Sequence, residues 1–160
     1  MARAHTQSLE APLPAEGAPG TVIPLYNEAS VIGGVIEGLK PYFENVVCVD
    51  DGSTDGSAAE ASAAGAILVQ HPVNLGQGAA LQTGIDFALA HPECDYIVTF
   101  DADGQHRVED AVGMLRLARD EKVAIVFGSR FLDDRTNPGW IKKVILKTDY
   151  IRHVIDVYHV

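Results

Sequence analysis

Cysteine, long apolar runs and basic residues are all scarce in this sequence. Two cysteines among 160 residues are too few for a disulfide framework, and the apolar run around Cys48 predicts a buried, inert thiol. No apolar stretch approaches the ~18 residues of a membrane span, and the N-terminus lacks the apolar core of a signal peptide. We therefore expect a soluble protein with a cytoplasmic location.

The shortage of basic residues limits the partners that we expect. Twelve Lys and Arg stand against 22 Asp and Glu, which gives a formal net charge of −10. Such a balance repels the polyanionic backbone of nucleic acids, so nucleic-acid binding is disfavoured. An acidic enzyme or a cation-binding domain fits better, and 160 residues match the size of one domain.

What the sequence does contain is an alternation of short β-rich runs with helical patterns. It follows residues 1–20, where Ala, Pro and Gly predict a flexible leader. The predicted strands lie at residues 21–25, 46–50, 66–70, 96–100 and 123–127. The predicted helices lie at residues 28–40, 55–65, 76–90 and 108–120. Strict alternation of this kind implies an α/β fold with a mainly parallel sheet and helices on both faces.

Polar, acidic and glycine-rich segments follow the predicted strands. In parallel sheets, ligands bind beyond this carboxyl edge. A single segment of this kind is typical of an ordinary turn, whereas several together indicate a site. The segments are Asn27–Glu28, Asp50–Asp55, Asn74–Gly78, Asp101–His106 and Gly128–Arg130.

Asp101 and Asp103 carry the clearest chemistry among these segments. Two carboxylates that leave the end of a buried strand repel each other, and a divalent cation with oxygen ligands relieves that repulsion. Gln105 adds a neutral carbonyl oxygen. The pattern predicts Mg²⁺ or Mn²⁺ with positions left open for substrate phosphates. His106, which follows, could be catalytic or bind the metal, but a hydrogen-bonded or surface position is the more frequent one for such a histidine.

The glycines of the Asn74–Gly78 segment do not complete a known phosphate-loop motif. Leu81 stands where a dinucleotide-binding fingerprint needs its third glycine, and no G-x-x-x-x-G-K-[ST] motif occurs. Gly76 and Gly78 nevertheless allow a ligand to approach the backbone at a helix N-terminus. Arg130 either clamps a phosphate or forms an ion pair with a neighbouring aspartate.

In order and spacing, these segments resemble the family 2 glycosyltransferases with the GT-A fold. Within that family, they resemble the dolichyl-phosphate and polyprenyl-phosphate sugar synthases most. The resemblance extends over about residues 21–147 and is carried by Val22–Glu28, Val49–Asp55, Asn74–Ala80, Phe100–His106 and Gly128–Phe131. It implies a metal-dependent, inverting transfer of a sugar from a nucleotide-sugar donor to an acceptor such as a polyprenyl phosphate. Such transferases act in cell-wall or glycolipid biosynthesis.

The resemblance also implies roles for individual residues. Asp51 would recognise the base edge, and either uracil or guanine could donate to it. Asp101, Asp103 and Gln105 would hold Mg²⁺ or Mn²⁺, and the catalytic residues would be Asp101, Asp103 and Arg130. The nucleotide-sugar would be bound by Pro24, Tyr26, Glu28, Asp51, Asn74, Gly76 and Gly78. One departure is Gln77, which stands where many relatives have Lys.

Residues 138–160 form the last predicted unit, after a nucleotide-sugar-binding domain at residues 21–137. Their apolar side chains fall at near-helical spacing with lysines between them, which predicts an amphipathic basic helix. This helix either meets an anionic membrane surface, which would make the protein peripheral to the inner face of the membrane, or packs on its own domain. Chains of the family continue into an acceptor-binding half, so we expect this chain to be truncated.

Two functions of other classes stay open at this point. A receiver-type phosphoacceptor domain also gathers acidic residues around Mg²⁺, but it needs an acidic pair after the first strand and a Lys after the fifth. This sequence has Asn27–Glu28 and Arg130 there. The other alternative is a catalytically silent fragment or an oligomerisation module.

Overall fold

The protein is seen in a computed structural model that describes residues 19–91, 94, 96–104, 106–123, 125–127 and 153–156. In chain order its elements are β1 (Gly20–Leu25), α1 (Ile32–Leu39), β2 (Asn45–Asp50), α2 (Ser57–Ala63), β3 (Ile67–Gln70), α3 (Gln77–Leu89), β4 (Tyr96–Thr99), α4 (Val108–Glu121), β5 (Ile125–Phe127) and β6 (His153–Asp156). The five predicted strands and the four predicted helices up to residue 120 are therefore all present. The bounds of α1 differ most, because residues 28–31 form a turn in which Val31 and Ile32 N–H donate to the Glu28 carbonyl.

The sheet has the order β3-β2-β1-β4-β6-β5, and every pairing in it is parallel. From β1 the chain runs outward through β2 to β3 and then returns to β4 on the other side of β1. The strand order therefore reverses between β1 and β4. In open parallel sheets a ligand-binding crevice forms at this point, beyond the carboxyl ends of the strands.

β1 extends further than β4 at the carboxyl edge of the sheet. Thr99, the last residue of β4, is level with Val22, whereas β1 continues to Leu25. The Phe100 N–H donates to the Val22 carbonyl (3.0 Å), and Pro24 has the same orientation as Val22 because strand residues alternate. Since β4 has ended at this level, the missing N–H of Pro24 costs no ladder hydrogen bond. The result is open space beside the end of β1.

Helices cover both faces of the sheet, as the alternation predicts. One hydrophobic cluster joins residues of α1, α2 and α4 to alternate strand residues such as Ile23 and Val98. On the opposite face α3 contributes to two smaller clusters. Here α3 approaches the strands closely at Gly84, where a Cβ would overlap the Val22 side chain. Cys48 is buried, as its apolar surroundings predict, and burial raises the pKa of its thiol to about 12.

The C-terminal segment differs from its prediction where the structure describes it. Residues 153–156 form β6, a strand that pairs with both β4 and β5, and not part of a helix over 138–160. Val154 and Ile155 are β-branched and suit a paired strand, although their spacing also fits a helix face. The remainder of 138–160 lies outside the described residues. Within the described part of the chain, no helix is long and apolar enough to cross a bilayer.

Candidate active site

A pocket of about 370 Å³ opens in the crevice between β1 and β4. We call it the strand-end pocket, because the segments that follow β1, β2, β3 and β4 all contribute to its lining. It brings together most of the residues that the sequence predicted as a site. These are Pro24, Tyr26, Glu28, Asp51, Asn74, Gly76, Asp101 and Asp103.

The remaining predicted residues are placed differently. Gly78 lies in the first turn of α3 and does not line the strand-end pocket. Gln105 and Arg130 lie outside the described residues. The pocket is completed by residues to which the sequence assigned no role, namely Leu25, Gln77, Ala80 and Ala102.

Asp51, which follows β2, is held by hydrogen bonds on both carboxylate oxygens. The Leu75 N–H donates to Oδ1 (2.9 Å) and the Gly76 N–H donates to Oδ2 (2.7 Å), while His71 Nδ1 lies 2.7 Å from Oδ1. Burial by itself would raise the pKa of Asp51, but these hydrogen bonds outweigh it and hold the pKa below its ordinary value. The side chain is therefore a buried, ionised carboxylate at the pocket wall.

His71 is a part of this site that the sequence did not predict. It is the residue after β3, and its side chain is only 9% exposed. Its Nε2 lies 2.9 Å from the Thr83 hydroxyl on α3, so the ring bridges α3 and Asp51. The position of His71 directly after β3 is the available signal, since the segments after β1, β2 and β4 also supply polar residues to this edge.

The loop between β3 and α3 is pressed against Gly52. A Cβ at Gly52 would lie 2.8 Å from both the Asn74 nitrogen and the Val73 carbonyl carbon, and the φ angle of Gly52 is +74°. Only glycine meets both conditions without strain. Together with the two N–H bonds to Asp51, this contact fixes the backbone of residues 73–76, which supplies one wall of the strand-end pocket.

The turn after β1 is fixed in a similar way by the turn after β2. The Asn27 N–H donates to the Ser53 hydroxyl (3.0 Å), and the Thr54 N–H donates to Asn27 Oδ1 (2.9 Å). The Glu28 N–H donates to the Ser57 hydroxyl (2.8 Å). These bonds set the backbone of the segment that brings Tyr26 and Glu28 to the pocket.

Asp101 is oriented from two sides. His106 Nε2 lies 2.9 Å from Oδ2, and Gln77 donates from Nε2 to Oδ1 (3.2 Å). The His106 side chain is fully buried, whereas that of Asp101 is 32% exposed. Hydrogen bonds from histidine to carboxylates that bind metals are common in proteins, and the hydrogen-bonding role expected for His106 matches this geometry.

The donor atoms of the site suit a hard divalent cation that also binds substrate. Among the described residues no group of three or more His, Cys, Asp or Glu could enclose a metal ion. Asp101 and Asp103 line the pocket as a pair instead, and each carboxylate oxygen of Asp101 keeps a lone pair beyond its one hydrogen bond. Mg²⁺ and Mn²⁺ accept such sparse carboxylate sets when phosphate oxygens supply other ligands.

Comparison with known proteins assigns the chain to a protein family. Residues 21–157 match the model of glycosyl transferase family 2. An uncharacterized protein of Methanocaldococcus jannaschii is 40% identical over 113 residues, which are 70% of this chain and 46% of that protein. The UDP-N-acetylglucosamine–dolichyl-phosphate N-acetylglucosaminyltransferase of Methanococcus voltae is 31% identical over 160 residues, 87% of this chain and 63% of the relative. The chain thus spans about half the length of such relatives.

A solved structure supports the same relationship. The glucosyl-3-phosphoglycerate synthase of Mycobacterium tuberculosis, crystallised with Mn²⁺, uridine-diphosphate-glucose and phosphoglyceric acid, superposes with a TM-score of 0.59 and 25% identity. The match covers 76% of this chain and 46% of the synthase. The fold is therefore the expected GT-A fold, and the family match is to glycosyltransferases rather than to receiver domains. The chain belongs to glycosyl transferase family 2.

Proposed function

We propose that this chain forms the nucleotide-sugar-binding part of a metal-dependent, inverting glycosyltransferase whose acceptor is a polyprenyl phosphate or a similar phosphate. The main support for this proposal is the strand-end pocket, whose lining includes the ionised Asp51 and the pair Asp101 and Asp103. The name of the Methanococcus voltae relative, which includes a UDP-sugar donor and dolichyl phosphate as acceptor, supports this choice of substrates.

The nucleobase would bind at Asp51. An ionised carboxylate has about four acceptor positions, and His71, Leu75 and Gly76 occupy three of them. The remaining position, on Oδ2, suits one N–H donor such as N3–H of uracil or N1–H of guanine. We choose uracil as the probe because the donor of the Methanococcus voltae enzyme is a UDP-sugar.

The diphosphate would lie near Asp101 and Asp103. Asp51, Asp101, Asp103 and Glu28 all line the pocket, so a diphosphate that entered alone would meet strong like-charge repulsion. Asp101, Asp103 and Gln105 would hold Mg²⁺ or Mn²⁺, and the cation would stabilise charge on the departing diphosphate. This arrangement accounts for the acidic lining of a pocket that takes an anionic ligand.

Each group of residues would have its own role in the reaction. Asp51 would hold the base, and the backbone of residues 73–76 would form a wall that does not move during transfer. His106 and Gln77 would keep the Asp101 carboxylate in one orientation. An acceptor oxygen would attack the anomeric carbon as the nucleoside diphosphate leaves from the opposite face, which inverts the configuration, and Arg130 would bind the diphosphate or the acceptor phosphate.

Calorimetry with uridine and UDP, each with Mn²⁺ and with EDTA, tests this proposal. We expect UDP to bind only with Mn²⁺, whereas uridine, which carries no phosphate, should bind weakly and equally in both buffers. Asp103→Asn should weaken UDP binding in Mn²⁺ at least about tenfold, as expected when a charged ligand group is lost. The control is Asp86→Asn, because Asp86 pairs with Gln82 on α3 (2.8 Å) and does not line the pocket. Failure of UDP and GDP to bind at millimolar Mn²⁺ would refute the proposal.

The acceptor and the membrane surface need a separate experiment. Flotation of the protein with vesicles that contain polyprenyl phosphate, compared with neutral vesicles and at two salt concentrations, measures surface association. We expect binding that increases with the polyprenyl phosphate content and falls with salt. Equal recovery with both vesicle types would exclude a membrane role for this part of the protein.

A further inference from the structure

The His71 ring occupies a position between the sheet and α3. Its backbone N–H donates to the Asp50 carbonyl (2.8 Å), which places it just beyond the last pairing of β2 with β3. The imidazole then reaches Asp51 through Nδ1 (2.7 Å) and Thr83 through Nε2 (2.9 Å). The His71 side chain is 9% exposed and the Asp51 side chain 4%, so the contact is shielded from water.

The partners of His71 fix its tautomer and orientation. The Asp51 carboxylate is ionised and only accepts hydrogen bonds, so His71 Nδ1 must carry a proton. Nε2 faces a hydroxyl, which can either donate or accept by rotating about its C–O bond. Both hydrogen bonds of the ring therefore persist whether the imidazole is neutral or charged, and the ring keeps one orientation.

His71 also determines which acceptor position of Asp51 is left for a ligand. The Leu75 and Gly76 N–H groups come from one loop, and each donates to one of the two oxygens. Without the Nδ1–H donor, Oδ1 would lose a hydrogen bond in a buried position, and only the two loop N–H groups would orient the carboxylate. A ligand N–H would then meet an acceptor whose direction is less firmly fixed.

We infer that His71 is a positioning residue for the nucleoside: through Asp51, and braced by Thr83, it sets the angle at which the carboxylate meets the N–H edge of the base. This inference rests on the proposed function. It predicts that loss of His71 weakens recognition of the base and leaves the diphosphate end of the pocket unchanged, because Asp101 and Asp103 do not contact His71.

Two substitutions separate the bond to Asp51 from the bulk of the ring. In His71→Asn, the side-chain amide nitrogen can take the place of Nδ1 and donate to Asp51. In His71→Leu, no donor remains. Thr83→Val removes only the brace at Nε2. His91→Asn is the matched control, since His91 lies just beyond α3, with Nδ1 2.8 Å from the Phe87 carbonyl, and does not line the pocket.

Calorimetry in Mn²⁺ would compare three probes, namely UDP, 3-methyluridine diphosphate, which lacks the N3–H donor, and inorganic pyrophosphate. Wild-type protein should prefer UDP to its methylated analogue. His71→Leu should weaken UDP binding about tenfold or more, the effect of losing one hydrogen bond to a charged group, and should lose the preference. Its affinity for pyrophosphate should change less than about twofold. His71→Asn and His91→Asn should stay within about threefold of wild type for every probe, and Thr83→Val should fall between them and His71→Leu.

The outcomes distinguish this inference from the proposed function. If wild-type protein binds no nucleoside diphosphate, both are overturned. If wild type prefers UDP and both His71→Leu and Thr83→Val keep that preference in full, only the role of His71 is overturned. A loss of UDP and pyrophosphate affinity to the same extent would also overturn it, since that is the result of a general structural defect. Should His71→Leu fail to fold, Thr83→Val still decides the question, because a full wild-type preference for UDP over its analogue in that variant would overturn the inference.

Discussion

Replacement of Gly52 by alanine tests whether the wall of the strand-end pocket is rigid. Gly52 has a φ of +74°, and a Cβ there would lie 2.8 Å from the backbone of both Val73 and Asn74. Real Cβ atoms do not approach so closely, so either the loop or the Gly52 turn must move. The loop is itself tied to Asp51 by the N–H groups of Leu75 and Gly76, and its movement would break those bonds.

The expected cost has two parts. Alanine in the left-handed region costs about 1–2 kcal/mol, and overpacking against a backbone that cannot relax adds about 1–3 kcal/mol. We therefore expect Gly52→Ala to lower the free energy of unfolding by about 2–5 kcal/mol. Gly104→Ala is the matched control, because Gly104 also has a positive φ (+72°) but a Cβ there would meet only the Val31 Cβ at an ordinary 3.9 Å. In Gly104→Ala, the free energy of unfolding should fall only by the cost of alanine in the left-handed region, about 1–2 kcal/mol.

Urea unfolding monitored by circular dichroism measures the stability of both variants. The dependence of the unfolding free energy on urea concentration is compared with that of the wild type, to confirm that the unfolded states are alike. In addition, Gly52→Ala should weaken UDP binding in the fraction that remains folded, because the displaced loop carries Asn74 and Gly76 of the pocket lining. Equal destabilisation by Gly52→Ala and Gly104→Ala would show that the contact with the loop has no energetic weight. The argument for a rigid wall would then be wrong.

Three further predictions use other parts of the structure. Gly34→Ala should raise the free energy of unfolding by about 0.5–1 kcal/mol, since Gly34 lies inside α1 with open space around its Cβ position. Thermal or urea unfolding measures the gain, and a decrease in the free energy of unfolding would contradict the placement of α1. Cys48, with a pKa of about 12, should be a thiolate in only about one molecule in ten thousand at pH 8. A thiol reagent should therefore label it only after unfolding. Rapid labelling of the native protein would contradict its burial. Because the pKa of Asp51 is lowered in the folded state, its stabilising effect is complete above the ordinary carboxyl pKa of about 4 and is lost as the pH falls through the folded-state value. In Asp51→Asn, the free energy of unfolding should therefore fall less steeply below about pH 4 than in the wild type. An unchanged pH dependence would mean that the carboxylate is not held by its hydrogen-bond donors.

Much of the fold could be predicted from the sequence because local pattern and global topology agree. The β-branched runs that form β1, β2 and β4 are buried on both faces, so they are apolar throughout and easily recognised. The strict alternation of strands with helices left few topologies open. The carboxyl edge could then be identified, and most of the predicted site residues lie there.

The parts that could not be predicted depend on tertiary contacts. The amphipathic spacing of residues 138–160 is compatible with a helix, but at 153–156 the neighbouring strands β4 and β5 provide backbone partners, and the chain adopts a strand. His71 lacked a motif, because its partners Asp51 and Thr83 are distant in sequence and meet only in the fold. In the sequence, Gln77 differs from relatives but carries no sign of its partner, because its bond to Asp101 depends on how α3 approaches β4.

The central claim is that a nucleoside diphosphate and a divalent cation meet in the strand-end pocket. Nuclear magnetic resonance of isotopically labelled protein, recorded with UDP and a trace of Mn²⁺ and again with Mn²⁺ alone, tests it directly because the paramagnetic ion broadens nearby amide signals. The account predicts UDP-dependent loss of the signals of Asp101, Asp103 and Gly76, while signals around Asp86 on the outer side of α3 remain. Broadening that is independent of UDP, or that is centred away from the ends of β1 and β4, would contradict the account.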